Sequence, residues 1–504
     1  MKKSKIKLFA ILLIAFSLVI TPLDVKAEST GNDYPIILVH GLGGWGEGEF
    51  FGIKYWGGEQ DVVGNLNNNG FTALEATVSP VASNWDRAVE LYYYIKGGTV
   101  DYGAAHAEEH GHDRYGRTFE GIYPDWDGEN LIHLIGHSMG GQTIRMLSEL
   151  LVNGDQSEQA YHEANPEADD MSPLFEGDKN WIHSITSVAT PHNGSTFADH
   201  EDLIPFIERL VINTASLAGI RSRDSIIYDF KLDQWGLKRN KAERFSTYME
   251  RVRSSKVWRT QDVSTYDLST QGAQALNSWV DTKPDIYYFS YTGNASYKLL
   301  SGRYYPMITI NPLMWGSGLH IGSYTSSGVD SSWWPNDGLV SVVSSKYPFG
   351  QANKPVGDTI NTGEWNYHPV QERWDHLDYI GLNISHAVGH REVNSFYLNM
   401  AEQLHSLPKK ESTVDEEVDT EEEMNSDPVD EGVSDTVEEN SDNAEKESSD
   451  TVEEDPQVVD EEDAETSEED SEVIEEGDAD TEEEEDPEVE EDESSEAVDE
   501  KDSE

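Results

Sequence analysis

Residues 131–152 constrain the fold of this chain more than any other stretch. Leu131-Ile-His-Leu-Ile135 is an apolar run that ends in Gly136-His-Ser-Met-Gly140, and a helical pattern with Ile144, Leu147 and Leu151 on one side follows at once. A short run of this kind, buried on both faces, suits a strand of a parallel sheet. A strand that passes through a sharp turn straight into a helix is the repeating step of α/β folds. Pro35–Val39, Trp181–Val188 and Ile286–Tyr291 have the same character. The chain is therefore expected to build a mostly parallel central sheet with helices on both faces.

The turn itself carries chemistry. Gly136-His137-Ser138-Met139-Gly140 has the G-x-S-x-G spacing. A serine at the apex of a strained strand-to-helix turn has its oxygen exposed, and the glycines two before and two after leave room for the neighbouring strand and helix. The helix that follows points its positive end at the site, which favours an oxyanion. The bare pattern is weak, since Gly and Ser are common, but its place between an apolar run and a helical pattern supplies the required context. An oxyanion hole takes two backbone N–H donors. Met139 follows the serine, and the Gly-rich His40-Gly-Leu-Gly-Gly44 after the first apolar run makes Leu42 the second candidate; a plain Gly-rich turn is the alternative.

Such a serine needs an acid and then a histidine further along the chain. His368, His376, His386 and His390 satisfy the order, and His376 stands in Trp374-Asp-His-Leu-Asp-Tyr-Ile380. Many carboxylates qualify as the acid. Asp337 lies in Trp333-Trp-Pro-Asn-Asp-Gly-Leu-Val340, where an aspartate is more often a turn former.

Composition limits how much of the 504 residues can share this fold. The formal charge is −63, from 98 acidic and 35 basic residues. Residues 411–504 hold 49 of the acids, two lysines, and no Phe, Trp, Tyr or His, a net of −47. That stretch cannot bury enough apolar surface to offset its chain entropy, so residues 409–504 are expected to form a disordered acidic tail. The three domains that length alone suggests reduce to one, over residues 28–408. The overall sign argues against nucleic acid as a partner. At the other end, Lys2, Lys3, Lys5 and Lys7 precede the apolar run Leu8–Ile20, with Val25-Lys-Ala27 after it. This pattern fits a secretory signal over residues 1–27, too short for a membrane span, and implies a secreted, extracellular protein. Cys is absent, so no disulfide can strengthen the fold.

Longer stretches carry a resemblance. Phe51-Gly-Ile-Lys-Tyr-Trp-Gly-Gly58, Ser83-Asn-Trp-Asp-Arg87, Gly97-Gly-Thr-Val-Asp-Tyr-Gly-Ala-Ala-His106, Tyr228-Asp-Phe-Lys-Leu-Asp-Gln-Trp-Gly236 and the Asn-Asp-Gly and Asp-His segments resemble the large zinc-containing bacterial lipases of the bacillar and staphylococcal type. The likeness runs from about Asp33 to Leu404. It implies an α/β-hydrolase fold with Ser138 as nucleophile, Asp337 as acid and His376 as base, acting on triacylglycerol at a lipid–water interface, with no organic cofactor and no protein partner. His106, His110 and His112 fall close together and, read bare, are as well a polar loop as a ligand set; the resemblance implies a structural zinc held by Asp86, His106, His112 and Asp233. It also implies a calcium near the catalytic histidine, with Gly302, Asp375, Asp378 and Asn383 matching in part. The apolar stretch Asp202–Ile220 corresponds to a lid, where an ordinary surface helix is the alternative. A phospholipase, a short-chain carboxylesterase and a surface-binding protein on a hydrolase scaffold stand as rival readings.

Overall fold

The computed structural model describes residues 31–50, 52–200, 203–382 and 392–410. The signal reading at 1–27, the tail from 411, and Asn383, His386 and His390 lie outside the described residues.

Seven strands form the central sheet: β1 (Ile36–Val39), β2 (Ala73–Ala76), β3 (Ile132–His137), β4 (Ile182–Val188), β5 (Tyr287–Tyr291), β6 (Asn353–Pro355) and β7 (Trp365–Tyr367). Their order is β2-β1-β3-β4-β5-β7-β6, and every neighbouring pair is parallel. The four apolar runs became β1, β3, β4 and β5, four of the five strands flanked on both sides. The edge strands β2 and β6 and the three-residue β7 between β5 and β6 had no such signal: an edge strand is covered on fewer sides and needs no continuous apolar run, and three residues are too few to show one.

Side chains alternate along each strand, and so the sheet feeds two cores. Ile36, Leu38, Ile135 and Phe289 pack on one face, beside helices α4 (Leu203–Leu217) and α5 (Val393–Ser406). Ile37, Val39, Leu134 and Tyr288 pack on the other, against α1 (Asn84–Lys96) and α3 (Met139–Asn153). A short helix, α2 (Ala104–His110), lies between α1 and β3 in the chain. This is the α/β-hydrolase arrangement. Asn32 joins the two ends of the described domain: its amide donates to the carbonyls of Leu404 and Leu407 at 2.8 and 3.0 Å. Among the described residues no helix is long and apolar enough to cross a membrane.

Parallel strands all deliver their carboxyl ends to one edge of the sheet, and binding sites form there. β1 leads into His40-Gly41, β3 into Ser138, and the loops after β5 and β7 carry Asp337 and His376.

Candidate active site and metal centre

Ser138 joins β3 to α3 with φ 56° and ψ −129°, a conformation that L-residues adopt only under constraint. The constraint is close packing of glycines. A Cβ on Gly136 would fall 2.5 Å from the main chain of Gly140, and one on Gly140 would fall 2.2 Å from the carbonyl oxygen of Val39. A Cβ on Gly41 would meet that of Ser138 at 2.6 Å. Larger residues at these positions would push the elbow away from β1.

His376 and Asp337 come together from separate loops. His376 Nδ1 lies 2.9 Å from Asp337 Oδ2, and the His376 N–H donates to the Asp337 carbonyl at 3.0 Å. Both side chains are buried. Asp337 Oδ1 accepts from the N–H groups of Leu339 and Val340 at 3.0 and 2.8 Å. The aspartate thus forms the turn with one oxygen and holds the imidazole with the other. A carboxylate on Nδ1 fixes the proton there and leaves Nε2 with its lone pair.

A second buried ring stands behind the first. His137 Nε2 lies 3.0 Å from the His376 carbonyl, which can only accept, so Nε2 carries the proton. His137 Nδ1 then accepts from the Tyr55 hydroxyl at 2.7 Å, and the Tyr55 oxygen accepts from the Gly41 N–H at 2.9 Å. Burial and the nearby His376 hold the His137 pKa well below the ordinary value, which keeps this ring neutral. The chain of bonds ties the loop after β1 to the backbone of His376. Neither Tyr55 nor His137 was among the residues singled out from the sequence; the elbow motif contained His137, but nothing marked its partner.

The loop after β1 leaves one donor open. The N–H groups of Gly41, Gly43 and Gly44 reach the Tyr55 oxygen, the Pro80 carbonyl and the Gly41 carbonyl. Among the described residues that of Leu42 has no partner. Met139 is the first residue of α3, where an N–H has no intrahelical acceptor. Ser138, His376 and Leu42 line one apolar cavity, roofed by Leu203, Phe206 and Leu210 of α4. Glu208, on the same helix, makes ion pairs with Arg223 and Arg253.

A second cluster lies apart from the cavity. The ligand atoms of Asp86 on α1, His106 on α2, His112 just beyond it, and Asp262 all fall within 4.8 Å of one another. Asp86 Oδ1, both Asp262 oxygens, and Nε2 of His106 and of His112 are buried without a hydrogen-bond partner. Buried polar atoms are rarely left unpaired, and two carboxylates and two imidazoles form a donor set suited to a tetrahedral cation. His112 Nδ1 lies 2.9 Å from the Asp113 carbonyl, so its proton sits there and the Nε2 lone pair faces the cluster. The His106 ring stacks on Trp85, with centroids 4.8 Å apart.

This corrects one expected ligand. Asp233 is not in the cluster. Its carboxylate is paired with Arg117 at 2.5 Å, which the neighbouring Asp229 also contacts. The residue after it, Gln234, reaches the site instead and donates to Asp86 Oδ2 at 2.6 Å. Asp262 takes the fourth position from a loop that no local spacing connects to the histidines.

The residues expected to hold calcium are less unified. Asp375 and Asp378 do meet: the Asp375 N–H donates to Asp378 Oδ2 at 2.9 Å. Burial and the Asp378 charge push the Asp375 pKa up to about 8. The Asp375 oxygens accept from the N–H groups of Asn311, Leu377 and Asp378. Gly302 stands in the turn of a hairpin, where its N–H donates to the Leu299 carbonyl.

With this geometry in view, the chain matches the family described as "Lipase-like, C-terminal domain" over residues 32–416. The chain belongs to that family. It is 40% identical over 395 residues to Lipase 1 of Staphylococcus aureus, covering 76% of this chain and 56% of the relative. The chain therefore spans about half the length of the curated relatives it matches. Among solved structures it is similar to EstA from Clostridium botulinum, with TM-score 0.70 and 43% identity over 75% of this chain and 89% of that one. It is also similar to lipase 1 from Pelosinus fermentans, with TM-score 0.67 and 44% identity over 75% and 99%.

Proposed function

We propose that this member of the lipase-like family is a secreted triacylglycerol lipase working through a Ser138–His376–Asp337 acyl-enzyme. The observation that carries the reading is the Asp337-anchored His376 beside the Ser138 elbow in one apolar cavity. His376 Nε2 takes the Ser138 proton as Oγ attacks the ester carbonyl. The oxyanion forms against the N–H groups of Leu42 and Met139. His376 passes its proton to the departing glycerol oxygen. Water, deprotonated by the same Nε2, then attacks the acyl-enzyme, and Ser138 regains its proton as the fatty acid leaves. The apolar lining of the cavity suits an acyl chain, and α4 acts as the lid: Glu208 with Arg223 and Arg253 holds it down until a lipid surface competes for Leu203, Phe206 and Leu210.

Zinc is the ion proposed for Asp86, His106, His112 and Asp262. When bound it supplies a structural crosslink between α1, α2 and the 262 loop, useful in a Cys-free chain. Calcium is the ion proposed for Asp375 and Asp378, where it would offset their mutual repulsion.

The test is chemical. An alkyl p-nitrophenyl phosphonate should release one equivalent of nitrophenol and leave its phosphonyl group on the peptide that contains Ser138, as read by mass spectrometry. Emulsified long-chain triacylglycerol should turn over at least as fast as phospholipid or a short-chain ester. Labelling at another residue would remove Ser138 from its role. Turnover of phospholipid or short ester without triacylglycerol would replace the lipase reading with one of the two rival esterase readings.

A further inference from the structure

Residues 286–329 contain no Asp or Glu, although the chain has 98 acidic residues. The charged side chains in that stretch are Lys298 and Arg303, with His320 as a third titratable base. In the structure it forms a hairpin, Ser296–Lys298 paired with Tyr304–Pro306, and a helix, Trp315–Ile321. The two are joined: the Tyr304 N–H donates to the Gly322 carbonyl at 2.8 Å.

The stretch exposes what folded proteins usually bury. Leu300 at the hairpin tip and Ile308 just beyond it are 110% and 91% exposed. Trp315 and Leu319, one helical turn apart and so on one face, are exposed as well. Lys298 and Arg303 flank the tip and are also exposed. Apolar tips framed by cations, on a segment with no acids of its own, suit an interface that is apolar inside and negative at its rim.

Two features place this surface with the active site. Asn336, next to Asp337, donates to the Gly318 carbonyl at 3.2 Å, which fixes the helix to the acid's loop. His320 and Tyr324 stack with centroids 5.0 Å apart, and both rings meet His200, which precedes α4. The patch therefore borders the segment that leads into the lid helix.

We propose that the 296–321 segment is a fixed docking surface for anionic lipid interfaces, acting beside the lid. The proposal rests on the interfacial reading above and names the lipid charge that reading left open. A strongly acidic chain is repelled by an anionic surface on the whole. At physiological salt, however, charges beyond about 8 Å are largely screened. A segment with no acids of its own can then bind while acids elsewhere on the chain, such as Glu372 at the base of the hairpin, are screened. Fatty acid released by hydrolysis makes a substrate surface progressively anionic, so such a patch would retain the enzyme as product accumulates.

The experiment uses the full chain in 0.15 M salt, with vesicles of phosphatidylcholine alone or with phosphatidylglycerol, read by co-sedimentation. Wild type should bind the phosphatidylglycerol vesicles more tightly. Lys298→Glu/Arg303→Glu should weaken that binding roughly tenfold and leave binding to phosphatidylcholine little changed. Leu300→Asp/Ile308→Asp should weaken both. All variants should hydrolyse a soluble short-chain ester at the wild-type rate, which reports an intact site and fold. Wild-type binding that ignores lipid charge, or variants that bind like wild type, would overturn the docking surface. Failure of wild type to hydrolyse any ester would instead sink the catalytic reading, and the vesicle result would still be read on its own.

Discussion

Alanine at Ser138 is expected to lower ester turnover by about five to six orders of magnitude, because the other hydroxyls lining the cavity, those of Tyr55 and Ser195, are engaged with His137 and the Leu339 carbonyl. The fold should be unaffected. Ser138 makes no side-chain cap to α3, and alanine at φ 56° carries much the same backbone strain as serine. Asparagine at Asp337 is expected to cost about four orders, for a reason the geometry supplies. Oδ1 of Asp337 is committed to the N–H groups of Leu339 and Val340, which require an acceptor. Asparagine would keep its oxygen there and turn its NH2 toward His376 Nδ1. The imidazole would answer by accepting at Nδ1 and carrying its proton on Nε2, so that it could not take the serine proton. Steady-state kinetics on a soluble ester, with thermal unfolding as a control, would check both. Asp337→Asn retaining even a tenth of wild-type kcat would show that the bond to His376 does not set the tautomer.

How legible these features were in the sequence followed from how local their causes are. The inner strands were visible because burial on both faces demands a continuous apolar run, and the elbow because its glycines are needed within a few residues of the serine. Asp337 was ambiguous for a sound reason: it is a turn former, and it also holds His376, one oxygen for each. The edge strand β6 and its neighbour β7, three residues each, had no periodicity to read. Tyr55 and Asp262 were invisible in a different way. Each reaches its partner only when distant loops are folded against each other, and neither has a spacing that connects it to the residue it serves. Asp233 illustrates the same difficulty. It lies in a segment that does contact the metal cluster, through Gln234, while its own carboxylate turns to Arg117.

That difference between Asp262 and Asp233 can be measured. Asp262→Asn is expected to abolish stoichiometric zinc retention after dialysis and to lower the thermal midpoint by about 5 °C, in line with a loss of about 3–5 kcal/mol for breaking a buried charged cluster in a domain of this length. The physical reason is the set of orphaned atoms. Without the ion, the Asp86 and Asp262 carboxylates face each other and two imidazoles in a buried space; Asp86 Oδ1 and both Asp262 oxygens lack a hydrogen bond, and imidazole nitrogens lie 3.3–3.4 Å from them. Asp233→Asn should retain the metal. It removes one partner of a half-buried guanidinium that keeps Asp229, at 3.2 Å, and a loss of about 1 kcal/mol is expected for such a pair. Chelation of wild type should reproduce the Asp262→Asn midpoint, and chelation of Asp262→Asn should change it little further. Metal analysis and thermal unfolding on the same samples decide the matter. Zinc lost from Asp233→Asn and kept by Asp262→Asn would return the fourth ligand to Asp233 and require the 233 turn to swing away from Arg117. Equal retention by both would mean that Asp86, His106 and His112 hold the ion by themselves, with water completing the tetrahedron.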